Sequence, residues 1–356
     1  MDENNVDKIK FLDTPFQIGE AESPNRLMLA PMAGITDAPF RALARRFRAG
    51  LVVTEMISAQ AVVYKNRKTL KMAQPWRDEH PVAIQLFGHD PGIMASAAME
   101  MESLGADLID INMGCPQRKI VKAGSGAALM KEPGLAANIV ESVRQAVTIP
   151  VTVKIRLGWD DSSHNCVEFA RQMERAGACL VVVHGRTRSQ MFSGRADWKE
   201  IRSVKEALKI PVVANGDVTD IRSAAACLKT TGADALMIGR ASLGRPWIFQ
   251  EILEGDPVTP EEKIRCILDH LGMIEEHYGP VTGLILAKKH VCWYSQGLPH
   301  GAKFRQQVHR LTEFSRLKEL TAHFFERAYD QSVLHSLSIS MLDNSASAVS
   351  SCLSAS

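Results

Sequence analysis

Eight short apolar runs, separated by amphipathic segments, constrain the fold more than any other feature of this 356-residue chain. Most of these runs are continuous in Val, Ile and Leu rather than alternating with polar residues, which is typical of parallel strands buried on both faces. The segments between the runs carry apolar side chains at helical spacing. The predicted strands cover residues 27–30, 51–55, 82–87, 107–112, 151–155, 180–184, 212–214 and 235–238.

The segments between the strands predict helices with recognisable ends. Residues 38–47 carry Phe40, Leu43 and Phe47 on one helical face, and Asp37 precedes them as an N-cap. Further helices are predicted over 134–147, over 168–176 before Gly177, and over 223–230 shortly before Gly232. Glycine favours the position just beyond a helix C-terminus because it adopts the left-handed conformation easily.

This repetition of strand and helix favours an α/β fold with a closed (β/α)8 TIM barrel, which takes about 250 residues. The alternative is a doubly wound open sheet. That fold expects a glycine-rich phosphate turn after its first strand, whereas this chain has Pro31-Met32-Ala33-Gly34 there. The barrel is therefore the preferred fold.

A change of composition after residue 250 indicates a second domain. Residues 260–329 contain no strand-like run, and Ile264, Ile267, Leu268 and Leu271 recur at helical spacing. We predict an N-terminal extension over 1–20, a catalytic barrel over 21–250, a smaller all-helical domain over 256–330, and a flexible Ser-rich tail over 331–356.

Bulk composition narrows the class of protein without naming a function. The net charge is only +2, so a basic surface for a polyanion must be local. The seven cysteines form no CxxC pair, which argues against a zinc site or disulfide framework and fits a reducing compartment. The polar N-terminus does not resemble a signal peptide, and no apolar run approaches the ~20 residues of a membrane span. We expect a cytoplasmic monomer without metal, membrane or protein partner.

Polar side chains follow the predicted strands where a barrel enzyme keeps its chemistry, at their carboxyl ends. Cys115 lies on a Gly-Cys-Pro turn just beyond the fourth strand, where a thiol can act as a nucleophile or a proton donor. A small buried hydrophobe is the alternative for this cysteine, although turns usually lie at the surface. The other polar candidates at or just beyond strand ends are Gln85, Asn112, Lys154, His184, Arg186, Asn215, Asp217 and Arg240.

The ends of the last two strands predict a phosphorylated cofactor. Gly216 and Gly239 let backbone N–H groups approach a phosphate, which is a recurring phosphate position in this fold. Arg240 adds a charge that pairs with phosphate oxygens. The residues alone therefore indicate a phosphate-bearing ligand at this rim.

Three strand residues leave two interpretations open. Lys154 lies in a strand that should be buried, where an ammonium is costly unless it is paired. It could neutralise charge on a ligand ring, or pair with Asp110 or Glu55. Gln85 could be a satisfied core amide, and His184 could be an interior histidine bonded to a backbone carbonyl.

Across roughly residues 20–330 the chain resembles the tRNA-dihydrouridine synthases, and its helical region is most similar to the bacterial B-type subgroup. The most specific block is Asn112-Met-Gly-Cys-Pro116, which follows Asp110 and Ile111. The other motifs that carry the resemblance occur in the family's order: Leu29-Ala-Pro-Met-Ala-Gly-Ile-Thr-Asp37, Gln85-Leu-Phe-Gly88, Val153-Lys-Ile-Arg156, Val183-His-Gly-Arg-Thr187, Ala214-Asn-Gly-Asp217, Met237-Ile-Gly-Arg240 and Ala287-Lys-Lys-His-Val-Cys-Trp-Tyr294.

The resemblance implies an FMN-dependent enzyme that reduces uridine in tRNA to 5,6-dihydrouridine, with NADPH or NADH as reductant. Hydride would pass from the flavin to C6 of uracil, and Cys115 would donate a proton to C5. The same resemblance assigns Pro31, Met32 and Ala33 to the flavin wall, Gln85 and Lys154 to the isoalloxazine edge, His184 to its neighbourhood, and Asn215, Gly216, Asp217, Gly239 and Arg240 to the ribityl phosphate.

Substrate contacts are expected at Asn112, Arg186, Lys288, Lys289 and Arg305. The last three belong to a basic stretch interspersed with aromatic residues, which suits RNA, although a solvated helix face is the alternative. Two other functions stay open at this point. One is a flavoenzyme acting on a free pyrimidine or enone, and the other is an RNA-binding protein with a vestigial barrel.

Overall fold

The predicted TIM barrel is confirmed in the computed structural model, which describes residues 3–76 and 79–329. The strands, numbered along the barrel, are β1 (Leu27–Leu29), β2 (Leu51–Val53), β3 (Val82–Phe87), β4 (Leu108–Asn112), β5 (Val151–Arg156), β6 (Leu180–His184), β7 (Val212–Asn215) and β8 (Ala235–Ile238). Each pairs in parallel with its neighbours, β8 pairs with β1, and β2 pairs with β3, so the sheet is closed. A short additional strand, Ile57–Ser58, pairs in parallel with the last two residues of β3.

Burial on both faces explains the continuous apolar runs. All five residues of β4 are buried, and so are all four of β7 and of β8. One set of side chains packs outward against the helices, while Met28, Leu108 and Val213 belong to a separate cluster within the barrel. Phe16 and Ile18 join that inner cluster. They belong to a hairpin (Phe16–Ile18 and Ala21–Ser23) that packs near the strand starts, so the carboxyl ends are left for a site.

Two helices around the barrel have the N-terminal and C-terminal caps that their sequences predict. The Asp37 carboxylate accepts a hydrogen bond from the Phe40 N–H, and Gly232 closes a later helix at φ 64°. The helices are Glu3–Leu12, Ala38–Arg46, Ala59–Val63, Arg67–Ala73, Pro91–Ser103, Arg118–Lys122, Pro133–Ala146, Cys166–Arg175, Trp198–Ala207, Ile221–Thr231 and Ile248–Glu254, with 3-10 turns at Gly126–Lys131 and Arg240–Ser242.

A second compact unit begins after Pro257. Its helices are Pro260–Tyr294, bent at Gly279, and Gly301–Arg310, and residues 314–329 are also helical. Thr259 and Glu262 form a capping box at its start. Within residues 3–76 and 79–329, no helix is both long enough and apolar enough to cross a membrane. The predicted domain limits stay predictions, and the predicted flexible tail lies outside the described residues.

Candidate active site

A cavity of about 610 Å³ lies at the carboxyl ends of the barrel strands. It brings together residues that are far apart in sequence, and every predicted site residue of the barrel lies on its wall except Arg186. Those lining residues are Pro31, Met32, Ala33, Gln85, Asn112, Cys115, Lys154, His184, Asn215, Gly216, Asp217, Gly239 and Arg240.

The turn that carries Cys115 is held by hydrogen bonds on several sides. The Asn112 side-chain oxygen accepts from the N–H groups of Gly114 and Cys115, at 3.2 and 2.9 Å. The Cys115 carbonyl accepts from the Ala127 N–H at 3.1 Å. The Arg156 Nε donates to the Gly114 carbonyl at 2.7 Å. The thiol is therefore presented to the cavity by a turn whose backbone is anchored.

The environment of Cys115 favours the protonated thiol. Burial raises the pKa of Cys115, and the opposing effects of the Gln117 N–H, Arg156 and Lys154 are smaller. A thiol with a raised pKa is a poor nucleophile at neutral pH, because the thiolate is the reactive form. Of the two roles that the sequence allowed, a thiol whose pKa is raised by burial suits proton donation better than nucleophilic attack.

Lys154 points across the barrel mouth to an amide. Its Nζ donates to the Asn215 side-chain oxygen at 2.8 Å, and the Asn215 Nδ2 donates to the Met237 carbonyl at 2.8 Å. Lys154 forms no ion pair within the described part of the chain, so neither Asp110 nor Glu55 neutralises it directly. Burial first, and repulsion from Arg156 second, lower the pKa of Lys154 to about 7. An ammonium in this state gains from an anionic ligand.

Behind the cavity wall, Gln85 belongs to a chain of buried hydrogen bonds. Its Nε2 donates to the Asp110 carboxylate at 2.6 Å, and its Oε1 accepts from the Asn112 Nδ2 at 2.7 Å. The Thr152 hydroxyl donates to the other Asp110 oxygen at 2.7 Å. Gln85 is thus a satisfied buried amide that also lines the cavity, so the two interpretations of this residue are compatible.

His184 is a neutral imidazole beside Arg186. The Arg186 guanidinium lies 3.3 Å from the His184 Nε2. Because a guanidinium only donates, that nitrogen must accept and the Nδ1 carries the hydrogen. Burial, followed by the nearby cations, holds the pKa of His184 far below its usual range.

Arg186 connects two loops at the rim of the cavity by hydrogen bonds. It is 1% exposed. It donates to both Asp217 carboxylate oxygens at 2.8 Å and to the Ser193 and Gly194 carbonyls. Within the described residues it does not reach the cavity wall, so the geometry does not support its predicted contact with substrate.

The ends of β7 and β8 supply unused backbone donors. Gly216 has φ 125°, and a Cβ there would lie 2.8 Å from the Ala196 side chain, so only glycine fits. Asp217 follows at φ 59° and is held by the Ala196 N–H and Arg186. Among residues 3–76 and 79–329, the N–H groups of Gly216, Asp217, Gly239 and Arg240 donate to no protein acceptor. Successive N–H groups in this conformation bind anions, so this rim fits a phosphate.

Comparison with known proteins agrees with this geometry. The sequence profile described as "Dihydrouridine synthase (Dus)" matches residues 28–329. A protein of Rickettsia conorii named "Probable tRNA-dihydrouridine synthase" is 43% identical over 317 residues, covering 87% of this chain and 96% of its own length. A protein of Pseudomonas aeruginosa named "tRNA-dihydrouridine synthase B" is 44% identical over 305 residues, covering 83% and 92%.

This chain belongs to the dihydrouridine synthase family. Solved structures with lower identity share its barrel fold. Histamine dehydrogenase from Rhizobium sp. 4-9 has a TM-score of 0.57 at 17% identity, covering 75% of this chain and 51% of that one. A 2-naphthoyl-CoA reductase complex has a TM-score of 0.58 at 14% identity, covering 70% and 53%.

Among the cavity residues of this dihydrouridine synthase family member that were not predicted, Arg156 and Phe192 have side chains suited to ligand contact. Arg156 lies two positions after Lys154 on β5, so the alternation of a strand could have placed both on one face. Phe192 is 48% exposed on a loop, and the guanidinium carbons of Arg156 and Arg240 lie 5.7 and 5.3 Å from its ring. No periodic signal marks a loop residue of this kind.

In the second unit, the three predicted substrate residues line one surface pocket with Trp293. Lys289 is exposed. Lys288, by contrast, donates to the carbonyls of His309 and Leu311, at 3.1 and 2.6 Å, where the helix Gly301–Arg310 ends. Arg305 donates to the Ser295 carbonyl at 3.2 Å. The predicted RNA contacts of these residues stay predictions, and Lys288 also has a structural role.

Proposed function

We propose that this protein reduces the C5–C6 double bond of uridines in tRNA to 5,6-dihydrouridine, with FMN in the barrel cavity and NADPH or NADH as reductant. One observation carries the proposal: the Cys115 turn and the unused N–H groups at the ends of β7 and β8 line the same cavity. Family membership and the names of the relatives support the substrate. A tRNA substrate also favours the cytoplasm as the place of action.

In this proposal, the N–H groups of Gly216, Asp217, Gly239 and Arg240 would hold the flavin phosphate. Pro31, Met32 and Ala33 would contact the ring, Gln85 and Lys154 would contact its edge, and His184 would lie nearby. The following residues supply the phosphate site through their side chains or backbone: Asn215, Gly216, Asp217, Gly239 and Arg240.

The reduced flavin, when bound, supplies a hydride to C6 of uracil. Lys154 stabilises negative charge at the ring edge, because its ammonium is poorly satisfied by Asn215 alone. Asn112 orients the target base beside the Cys115 turn. As negative charge develops at C5, Cys115 donates its proton there, and the resulting thiolate is reprotonated from solvent. The two atoms added to the double bond are thus one hydride and one proton.

The RNA requires a different set of residues. A uracil that enters a deep cavity must leave its stack. The exposed Lys289, with Arg305 and Trp293 in the same pocket, offers positive charge and an aromatic face for the polyanion. This local basic surface explains how a chain of net charge +2 can bind tRNA.

The test is to measure dihydrouridine at each tRNA position in cells that lack the protein, complemented with wild type or C115A. Wild type should restore dihydrouridine at specific positions. The C115A variant should lose about 10²–10⁴-fold in rate, the usual contribution of a general acid. Purified C115A should keep its flavin.

Three results would count against the proposal. Full restoration by C115A would remove the acid role. Activity of the purified enzyme on free uridine, with none on tRNA, would favour the free-pyrimidine reductase, and a colourless purified protein would favour the RNA-binding alternative.

A further inference from the structure

Asp110 is a buried carboxylate behind the wall of the candidate site. It is 2% exposed, and its two oxygens accept from the neutral side chains of Gln85 and Thr152. Within the described residues it forms no ion pair, and burial raises the pKa of Asp110 to about 6. A carboxylate in such a place is costly to keep, so its contribution must lie in what it does to its neighbours.

The hydrogen bonds from Asp110 to the Cys115 turn run in one direction. At the far end, the N–H groups of Gly114 and Cys115 can only donate, so Asn112 must present its oxygen to them. The Asn112 Nδ2 then donates to Gln85, whose own Nε2 is left facing Asp110. An ionised carboxylate only accepts, and it is therefore the group that this chain of donors requires at its end.

We propose that Asp110 is a positioning residue, which fixes the donor direction of Gln85 and Asn112 and so anchors the Cys115 turn at the cavity wall. This inference rests on the proposed function and adds to it a residue that does not line the cavity within the described structure. Turning the Gln85 amide over would set its oxygen against the carboxylate and its NH₂ against that of Asn112. Both contacts are repulsive, so the ionised Asp110 excludes that arrangement.

The substitution Asp110→Asn removes this exclusion at almost constant volume. An asparagine can accept from the Gln85 Nε2, or it can donate to the Gln85 Oε1. In the second arrangement the Asn112 amide also turns over, and its NH₂ then repels the N–H groups of Gly114 and Cys115, so this arrangement requires the turn to move away from Asn112. The turn loses its anchor, and the thiol becomes more accessible.

The test measures the alkylation rate of Cys115 by iodoacetamide, by mass spectrometry of its peptide, with the other cysteines of the holoenzyme as internal references. We expect alkylation in D110N to rise about tenfold. Its kcat should fall by about 10- to 100-fold with KM for tRNA within about twofold, because small misplacement of a reacting group costs rates of this order. The matched control T152V also removes a hydrogen bond to Asp110 but leaves the chain of amides intact. With all rates measured at pH 8, above the pKa of Asp110, its alkylation rate should stay at the wild-type value.

A variant that exchanges the two side-chain types, Q85E/D110N, separates two effects. It keeps one buried carboxylate but moves it to position 85, so it tests the donor direction of the hydrogen bonds independently of the total charge. The carboxylate introduced at position 85 can only accept. The amide introduced at position 110 and the amide of Asn112 must therefore both donate to it, and the Asn112 oxygen again faces the turn. With every variant saturated with FMN, alkylation should return to the wild-type rate.

The proposal is overturned if D110N alkylates like wild type, if T152V behaves like D110N, or if the swap does not restore the rate. Absence of dihydrouridine formation by wild type would instead refute the proposed function, since alkylation still reports on Asp110.

Discussion

At the scale of single residues, the buried ammonium of Lys154 lowers the free energy of unfolding of the protein. The pKa of Lys154 is lowered to about 7. The unfolded chain holds this proton up to about pH 10.4. The folded state is therefore disfavoured most below pH 7, where the buried lysine is charged, and the effect disappears as the pH rises through the unfolded pKa.

This pH dependence of stability gives a test of whether Lys154 serves ligand binding or the fold. In the flavin-free protein, K154M should raise the melting temperature, and the increase should be larger at pH 6 than at pH 9. The same variant should bind flavin more weakly. Thermal unfolding at both pH values and flavin titration measure the two effects. A lower melting temperature of K154M at pH 6 would instead assign Lys154 a structural role.

At the scale of elements, two adjacent lysines on the helix Pro260–Tyr294 have different expected roles. Lys288 should contribute to stability, and Lys289 should contribute to RNA binding. The Lys288 ammonium binds the carbonyls where Gly301–Arg310 ends, a place where cations stabilise helices. K288A should therefore lower the free energy of unfolding by about 1 kcal/mol. The exposed Lys289 has no such bond in the described structure, so K289A should leave stability unchanged.

The contribution of Lys289 to tRNA binding is measured from the salt dependence of tRNA affinity. If Lys289 contacts a phosphate, K289A should weaken tRNA binding and reduce the slope of log affinity against log salt by about 1. Urea unfolding provides the stability measurement for both variants. Equal tRNA affinity and equal salt slope in K289A and wild type would exclude Lys289 from the RNA surface.

At the scale of the whole molecule, the barrel was predictable because burial on both faces leaves continuous apolar runs. The predicted and observed strands begin within one residue of each other. The predicted convergence of the strand ends into one cavity follows from the same closure. Local pattern could not show that Arg186 is held by Asp217, because that partner follows the next strand. Nor could it show that Lys288 caps a helix that lies later in the chain.

The central claim is that one cavity holds the flavin within reach of the Cys115 thiol. The most direct measurement mixes anaerobically reduced holoenzyme with tRNA that lacks dihydrouridine, and follows flavin absorbance through a single turnover. We expect this tRNA to reoxidise the wild-type flavin with matching dihydrouridine formation, while C115A keeps its flavin but reoxidises at least about 100-fold more slowly. Equal reoxidation rates for wild type and C115A would contradict the central claim.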